Sequence, residues 1–372
     1  IFFLENNIMN SSLFTSDDIE IPLFTKSYKY FLNKSIVLYG SSGSGKSMIM
    51  RDILFILKDH IPNTVVICPT NHLNKSYDDI IPPQLIYADV TEELIKNIFK
   101  RQKTVVKIHN MVNDISRLEK IYNKLSRSND HLIKSQIMNG YRIVKQKFSE
   151  NENIHLAEKK IKIQELDDGH KKKLIEFYKR IINKNKSLIN NNSFRNNFDE
   201  TEIKIINFIN INPNLLIILD DAAVSANVWA KYQEIKEMFF NGRHHKITFM
   251  ISFQDDKLLE SSLRKNAFIN IFTTEIVCNS FFQRSANNFT KPEKIKMAKL
   301  SNFIFNDEKL KERNYKKLVY IKDKNPNTYY ILADYNDDFR FGSNHLYELC
   351  NKVKKDDDNE DKFNDEFESF FN

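Results

Sequence analysis

At 372 residues, 41% of them hydrophobic, the chain is long enough for one large domain or two ordinary ones around a real core. The formal net charge of +7 is moderate but unevenly placed, basic in the middle and acidic at the end, and placement matters more than the sum when the partner is a polyanion. Three distant cysteines without metal-type spacing argue against both a disulfide framework and a zinc module, and no apolar run approaches the roughly 18 to 20 residues that cross a bilayer.

The opening "IFFLENNIMN" lacks the basic start and long apolar centre of a signal peptide, so the protein is expected to be soluble and cytosolic. The chain opens on Ile1, which reads either as a fragment or as a protein whose translation starts at Met9. Residues 1–29 form an N-terminal extension.

Three short apolar, β-branched runs then predict buried parallel strands: "SIVLY" at 35–39, "TVVIC" at 64–68 and "LLIIL" at 215–219. Two more follow, "ITFMIS" at 247–252 and "FINIFTT" at 268–274. Helical patterns over Met48 to Lys58 and Val228 to Phe240 alternate with them, which predicts an α/β core of about five parallel strands with crossover helices, built from 30–105 and 200–345.

Between 106 and 199 the texture changes to a basic helical insertion. Glycine and proline almost vanish, and Ile115, Leu118, Ile121 and Leu125 fall at helical spacing. Residues 111–196 carry about 19 Lys and Arg against about 10 Asp and Glu, which suits a solvated helical hairpin or a nucleic-acid or partner-binding arm. Past the core, "LVYIKD" (318–323) and "TYYILAD" (328–334) flank the turn-rich "KNPN" and read as a β-hairpin. The acidic tail, 350–372, is expected to be disordered.

The strongest chemical signal is "GSSGSGKS", Gly40 to Ser47, which satisfies GxxxxGK[ST] between a predicted strand and a predicted helix. Gly40, Gly43 and Gly45, three of only seven glycines in the chain, let the backbone curl so that the amides of Ser41, Ser42, Ser44 and their neighbours point at phosphate oxygens. Lys46 would meet the β- and γ-phosphates of ATP, and Ser47 would give its hydroxyl to Mg²⁺. The second element is "LLIILDD". Its strand delivers Asp220 on the metal side and Asp221 where a general base would polarise water, a role more often filled by glutamate.

"NGRHHKITFMISFQD" supplies the rest. Gln254 emerges after a core strand, where an amide can hold the lytic water, although such a residue is also an ordinary strand end. Arg243 precedes that strand at the opposite edge of the sheet, poorly placed for its own nucleotide and well placed for a neighbour's; a surface arginine paired with an acid is the plainer reading. His244 and His245 are weak metal candidates, since adjacent side chains diverge and no further ligand appears at helpful spacing. Arg264, in "SLRKNAF", is a second candidate phosphate sensor.

Together these residues resemble the poxvirus-type DNA-packaging ATPases of large nucleocytoplasmic DNA viruses, a branch of the FtsK–HerA superfamily of P-loop NTPases. The resemblance rests on "LYGSSGSGKS", "IILDDAA", "NGRHHKITFMISFQD" and "LRKNAFINIF", and covers roughly 30–105 and 205–290. It implies a P-loop α/β fold, ATP and Mg²⁺ as cofactors, and ATP-driven movement of double-stranded DNA into a viral particle by a homo-oligomeric, hexameric ring at a cytoplasmic assembly site. Capsid or virion-membrane proteins are further implied partners. It puts Lys46 and Ser47 on the nucleotide, Asp220 on Mg²⁺, Asp221 as catalytic carboxylate, Gln254 as sensor and Arg243 as a finger acting in trans. The rival readings are a helicase or other P-loop enzyme, and a nucleotide-gated, weakly catalytic scaffold of virion assembly.

Overall fold

The computed structural model describes residues 13–14, 19–127, 135, 168–190, 193–306, 316–334, 336 and 338–355. The expected N-terminal extension lies partly outside these residues, as do the middle of the insertion and the tail beyond 355. The chain divides into two compact units, Ile1–Gln102 with Asn214–Asn372, and Lys103–Pro213.

The first unit is built on an eight-stranded sheet in the order β10-β9-β8-β3-β7-β6-β4-β5. In chain order its strands are β3 (Ser35–Tyr39), β4 (Asn63–Ile67), β5 (Ile86–Tyr87), β6 (Leu215–Leu219), β7 (Ile247–Phe253), β8 (Ile269–Phe272), β9 (Lys316–Ile321) and β10 (Thr328–Leu332). A separate two-stranded ribbon pairs β1 (Leu13–Phe14) with β2 (Glu20–Ile21). The run from β8 through β3, β7, β6 and β4 to β5 is parallel; β9 and β10 are antiparallel and close one side as a hairpin.

The five predicted parallel strands are all present, and β5 is a sixth. Only two residues long, β5 is too short for its alternation to stand out in the sequence. The predicted helix over 228–240 is in fact two, Ala226–Trp229 and Gln233–Asn241, with Tyr232 extended between them. The buried Trp229 indole donates a 2.9 Å hydrogen bond to the Ala222 carbonyl, which ties the first piece back toward β6.

The sheet strands read as unbroken apolar runs because both faces are covered. On β3, Val37 and Tyr39 enter one core cluster while Ile36 and Leu38 enter another; on β7, Phe249, Ile251 and Phe253 oppose Met250 in the same way. The helix Lys46–Leu57 turns Ile49, Met50, Ile53, Leu54 and Leu57 into the second cluster. Each such side chain contributes about 1.5–3 kcal/mol by leaving water, and truncating one as large as the fully buried Phe249 to alanine costs about 3–5 kcal/mol.

The second unit is helical and closes its own core. The helix Ile115–Ser126 buries Ile115, Leu118, Ile121 and Leu125, the stripe expected from their spacing. They pack with Tyr178, Ile182 and Ile189 of the helix Asp168–Asn190 and with Ile205 and Ile206 of the helix Glu200–Asn207. Its helix starts are set by side chains. The Asp114 carboxylate accepts from the Ser116 and Arg117 amides, and Asp199 and Glu202 form a reciprocal capping box.

Candidate active site

The C-terminal ends of β3, β6 and β7 stand side by side, and the glycine loop, Asp220, Asp221 and Gln254 come together there, while Arg243 and Arg264 do not. After β3 the loop Gly40–Gly45 leads into the helix Lys46–Leu57, with Gly45 at the N-cap in the left-handed region at φ 87°. That backbone is one an L side chain rarely adopts, which fixes glycine at the point where the chain turns into the helix. Gly40 is fixed by space instead, since a Cβ there would fall 1.6 Å from Thr273 Oγ1.

Lys46 is buried, and its ammonium donates to the carbonyls of Gly40 at 2.8 Å and Ser41 at 3.0 Å. Burial pulls its pKa down, while the charges of Asp221 and Asp220 push it back up. Ser47, the next residue, is exposed.

Asp220 and Asp221 follow β6 directly. Asp220 is buried and accepts hydrogen bonds from the Tyr77 phenol at 2.8 Å and from the Ser252 hydroxyl. Burial dominates and raises its pKa against those two hydrogen bonds, with Asp221 adding to the rise and Lys46 opposing it. Burial and the neighbouring carboxylate likewise hold Tyr77 protonated, as a donor must be. Asp221 is half-buried, at φ 54°, with Thr70 donating to its carboxylate at 2.9 Å and its own amide donating to Ser252 Oγ at 3.3 Å.

Gln254 is the exposed residue immediately after β7. Because β7 lies between β3 and β6, Gln254 follows the sheet at a point between the glycine loop and the two carboxylates. The Gly40 amide donates at 3.0 Å to the carbonyl of Phe253, the residue before Gln254, so the loop is fastened to the end of this strand.

Arg243 lies in the turn before β7, at the other edge of the sheet, roughly 20 Å away along the strand. It is exposed and donates through Nε to His244 Nε2 at 3.3 Å. His245 packs edge-on against Phe99, meets Glu237 at 3.3 Å, and lends its carbonyl to Gln102 at 2.7 Å. Among the described residues no group of three or more His, Cys, Asp or Glu could hold a metal ion.

Among the described residues, no hydrogen bond or ion pair joins Arg264 to the glycine loop. It is buried, donating to the Asp256 carbonyl at 2.6 Å, to the Leu259 carbonyl at 3.2 Å and to Asn287 at 2.8 Å. The fully buried Asp256 also takes two hydrogen bonds from Arg284, at 2.5 and 2.9 Å, and one from Ser280 at 2.9 Å. Despite burial, these partners hold its carboxyl below the usual range. The network anchors the segment that follows Gln254.

Thr70, Tyr77, Thr273 and Lys317 escape a sequence reading because each sits in a loop or strand with no motif around it, and Ser252, inside a quoted stretch, because its partner Asp220 is on another strand. Lys317 had one visible cue, since "KK" opens an otherwise apolar strand.

The donor set fits a magnesium nucleotide. A curled amide loop with a lysine at its helix start faces one carboxylate held by two hydroxyls and a second at the surface. A glycine loop after β3, paired carboxylates after β6 and the additional strand β7 between them form a P-loop nucleotide-binding core.

The chain belongs to the family of the African swine fever virus protein B354L. It is 31% identical over 350 residues to that protein of the Pig/Kenya isolate, covering 90% of this chain and 91% of the relative. A protein of Acanthamoeba polyphaga mimivirus is 22% identical over 238 residues, 64% of this chain and 51% of the relative. No family profile matches the chain. Among solved structures, the genome packaging NTPase B204 from Sulfolobus turreted icosahedral virus 2, in complex with ATP-gammaS, is 12% identical with a TM-score of 0.32, covering 82% of this chain and 98% of its own. No helix among the described residues is long and apolar enough to cross a membrane.

Proposed function

We propose that this chain hydrolyses ATP to drive double-stranded DNA into a viral particle, working as a homo-oligomeric, hexameric ring. The observation that carries the reading is the end of β7. Its Phe253 carbonyl accepts from Gly40 of the loop, its Ser252 hydroxyl bonds Asp220 and Asp221, and Gln254 follows at once. One strand terminus thus ties the phosphate seat, the metal-side carboxylate and a water-holding amide into one unit.

When bound, magnesium-ATP supplies a γ-phosphate open to in-line attack and a cation that spreads its negative charge. Lys46 would then exchange its two carbonyl partners for phosphate oxygens, with Ser47 and Asp220 on the metal side. Asp221, near the surface and held by Thr70, accepts the proton of the attacking water, which Gln254 orients. Arg243 reaches the nucleotide of an adjacent subunit, where its planar fork stabilises the transferring charge. DNA is gripped through its phosphates, because a packaging motor must ignore sequence.

The aspartate at 221 does not favour the weakly catalytic scaffold. At φ 54° the backbone is left-handed, where aspartate is several-fold enriched over most non-glycine residues, so local conformation accounts for its presence in place of glutamate.

The test is steady-state ATPase activity of the wild type and Lys46→Ala, with and without long duplex DNA. The wild type is expected to turn over and be stimulated by DNA, and Lys46→Ala to be inactive. A wild type that hydrolyses ATP at a rate indifferent to DNA would sink the motor reading while leaving the ATPase standing.

A further inference from the structure

Lys317 opens the C-terminal hairpin, far from the glycine loop in sequence, and touches that loop in space. In the register of β8 with β9, Phe272 faces Leu318, so Lys317 falls one residue beyond, at the edge where Thr273 follows β8. Its ammonium donates at 2.9 Å to the Ser44 carbonyl, and it lies 3.2 Å from where a Cβ on Gly45 would stand. Thr273 approaches the same stretch, its hydroxyl 2.5 Å from Ser44 Oγ.

A lysine in this position is costly. It is only 6% exposed, burial lowers its pKa, and among the described residues the partner of its ammonium is a carbonyl, not a carboxylate. Buried ammonium groups are ordinarily paired with a countercharge, and this one has a single neutral acceptor among the described residues. The acceptor it has is informative. In a planar trans peptide the carbonyl and the next amide point opposite ways, so a cation that holds the Ser44 carbonyl turns the Gly45 N–H to the other side. Gly45 is the N-cap of the helix Lys46–Leu57, where free amides receive anions.

We propose that Lys317 is a positioning residue of the nucleotide site, fixing the Ser44–Gly45 peptide so that the Gly45 N–H faces a bound phosphate and making the hairpin part of that site. The proposal rests on the loop being an ATP site. It goes beyond the motif, since a strand from the far end of the chain orients the amide.

The experiment compares wild type, Lys317→Met, Lys317→Arg and Lys46→Ala for ATP affinity by calorimetry, for KM and kcat, and for melting temperature without nucleotide. Lys317→Met is expected to weaken ATP binding and raise KM about tenfold or more, the scale of a charge-assisted hydrogen bond. Its kcat should stay within about threefold and its melting temperature should not fall, because a buried charge has been removed. Lys317→Arg, which keeps a donor and a charge, is expected to recover most of the affinity. Should Lys317→Met not fold, Lys317→Leu serves in its place. If wild type binds ATP, Lys46→Ala does not, and Lys317→Met binds as wild type does, the role of Lys317 is overturned alone. If wild type itself does not bind ATP, the nucleotide reading and this proposal fall together.

Discussion

Ser252 and Asp220 are joined by a hydrogen bond from the serine hydroxyl to the buried carboxylate, and the same oxygen receives the Asp221 amide. Position 252 alternates with the apolar residues of β7 that fill the opposite face, so the strand that ends in Gln254 also holds the pair of aspartates. Ser252→Ala removes both bonds without changing the sheet's apolar packing. It is expected to lower kcat about 10- to 100-fold, the usual effect of removing a group that orients a metal-side ligand, while ATP affinity changes little. Equal losses in kcat and affinity would contradict that assignment.

Asp220 makes a prediction with a definite sign. Burial raises its pKa in the folded state, so the native protein binds this proton more tightly than the unfolded chain. Stability from this group is therefore lost as pH rises from the ordinary carboxylate value through the raised one, and above that window the ionised form is a net cost. Asp220→Asn lacks the titration. Its melting temperature minus that of the wild type is expected to grow with pH across the window and then level off, while hydrolysis disappears. A difference that is flat with pH would show that another group titrates.

At Asp221 the backbone and the chemistry can be separated. Asp221→Asn keeps a residue that tolerates φ 54° and removes the proposed base, so melting should hold and kcat should fall at least about 100-fold. Asp221→Glu keeps a carboxylate but strains the turn and moves the group away from Thr70, so melting should drop by about 1 kcal/mol of stability, with activity also reduced. Thermal melts and single-turnover hydrolysis on the two variants distinguish these outcomes.

Two arginines should behave in opposite ways. Arg264→Ala leaves two backbone carbonyls short of a donor while Arg284 still pairs with the fully buried Asp256, a loss that should cost about 2 kcal/mol or more in a denaturant titration. Arg243→Ala is exposed and should leave stability within about 0.5 kcal/mol while abolishing turnover. Mixing Arg243→Ala subunits with Asp221→Asn subunits should restore part of the ATPase activity. No recovery in rings shown to contain both variants would return Arg243 to an ordinary surface role.

The helix Asp168–Asn190 carries Lys171, Lys172 and Lys173 near its start, of which Lys172 and Lys173 are exposed and Lys171 is half-buried. If this unit grips duplex DNA, replacing all three by alanine should weaken binding and reduce the slope of log affinity against log salt by up to about 3. An unchanged slope in a fluorescence-anisotropy titration would leave these lysines as a solvated helix face.

Much of the core was readable because its strands are continuous β-branched runs and its loop carries a motif whose chemistry demands glycine at fixed places. Strand order was not readable in the same way. Parallel neighbours such as β3 and β7 are more than 200 residues apart, and nothing local in either run names its partner. Asp220 could be placed at the end of its strand from sequence, whereas Tyr77 and Ser252, which hold it, come from segments that meet only in the folded protein. Arg264 misled for a related reason: its charge is visible in the sequence, but the buried Asp256 and Arg284 that accompany it are not.

The contact between Lys317 and Ser44 spans 273 residues of sequence. On a ribosome adding about 5–20 residues per second, the glycine loop is made roughly 15–50 s before the lysine that steadies it. A nascent chain halted in that interval holds every residue of the motif and still lacks this lysine, so the nucleotide seat is finished by some of the last residues of the sheet to be made.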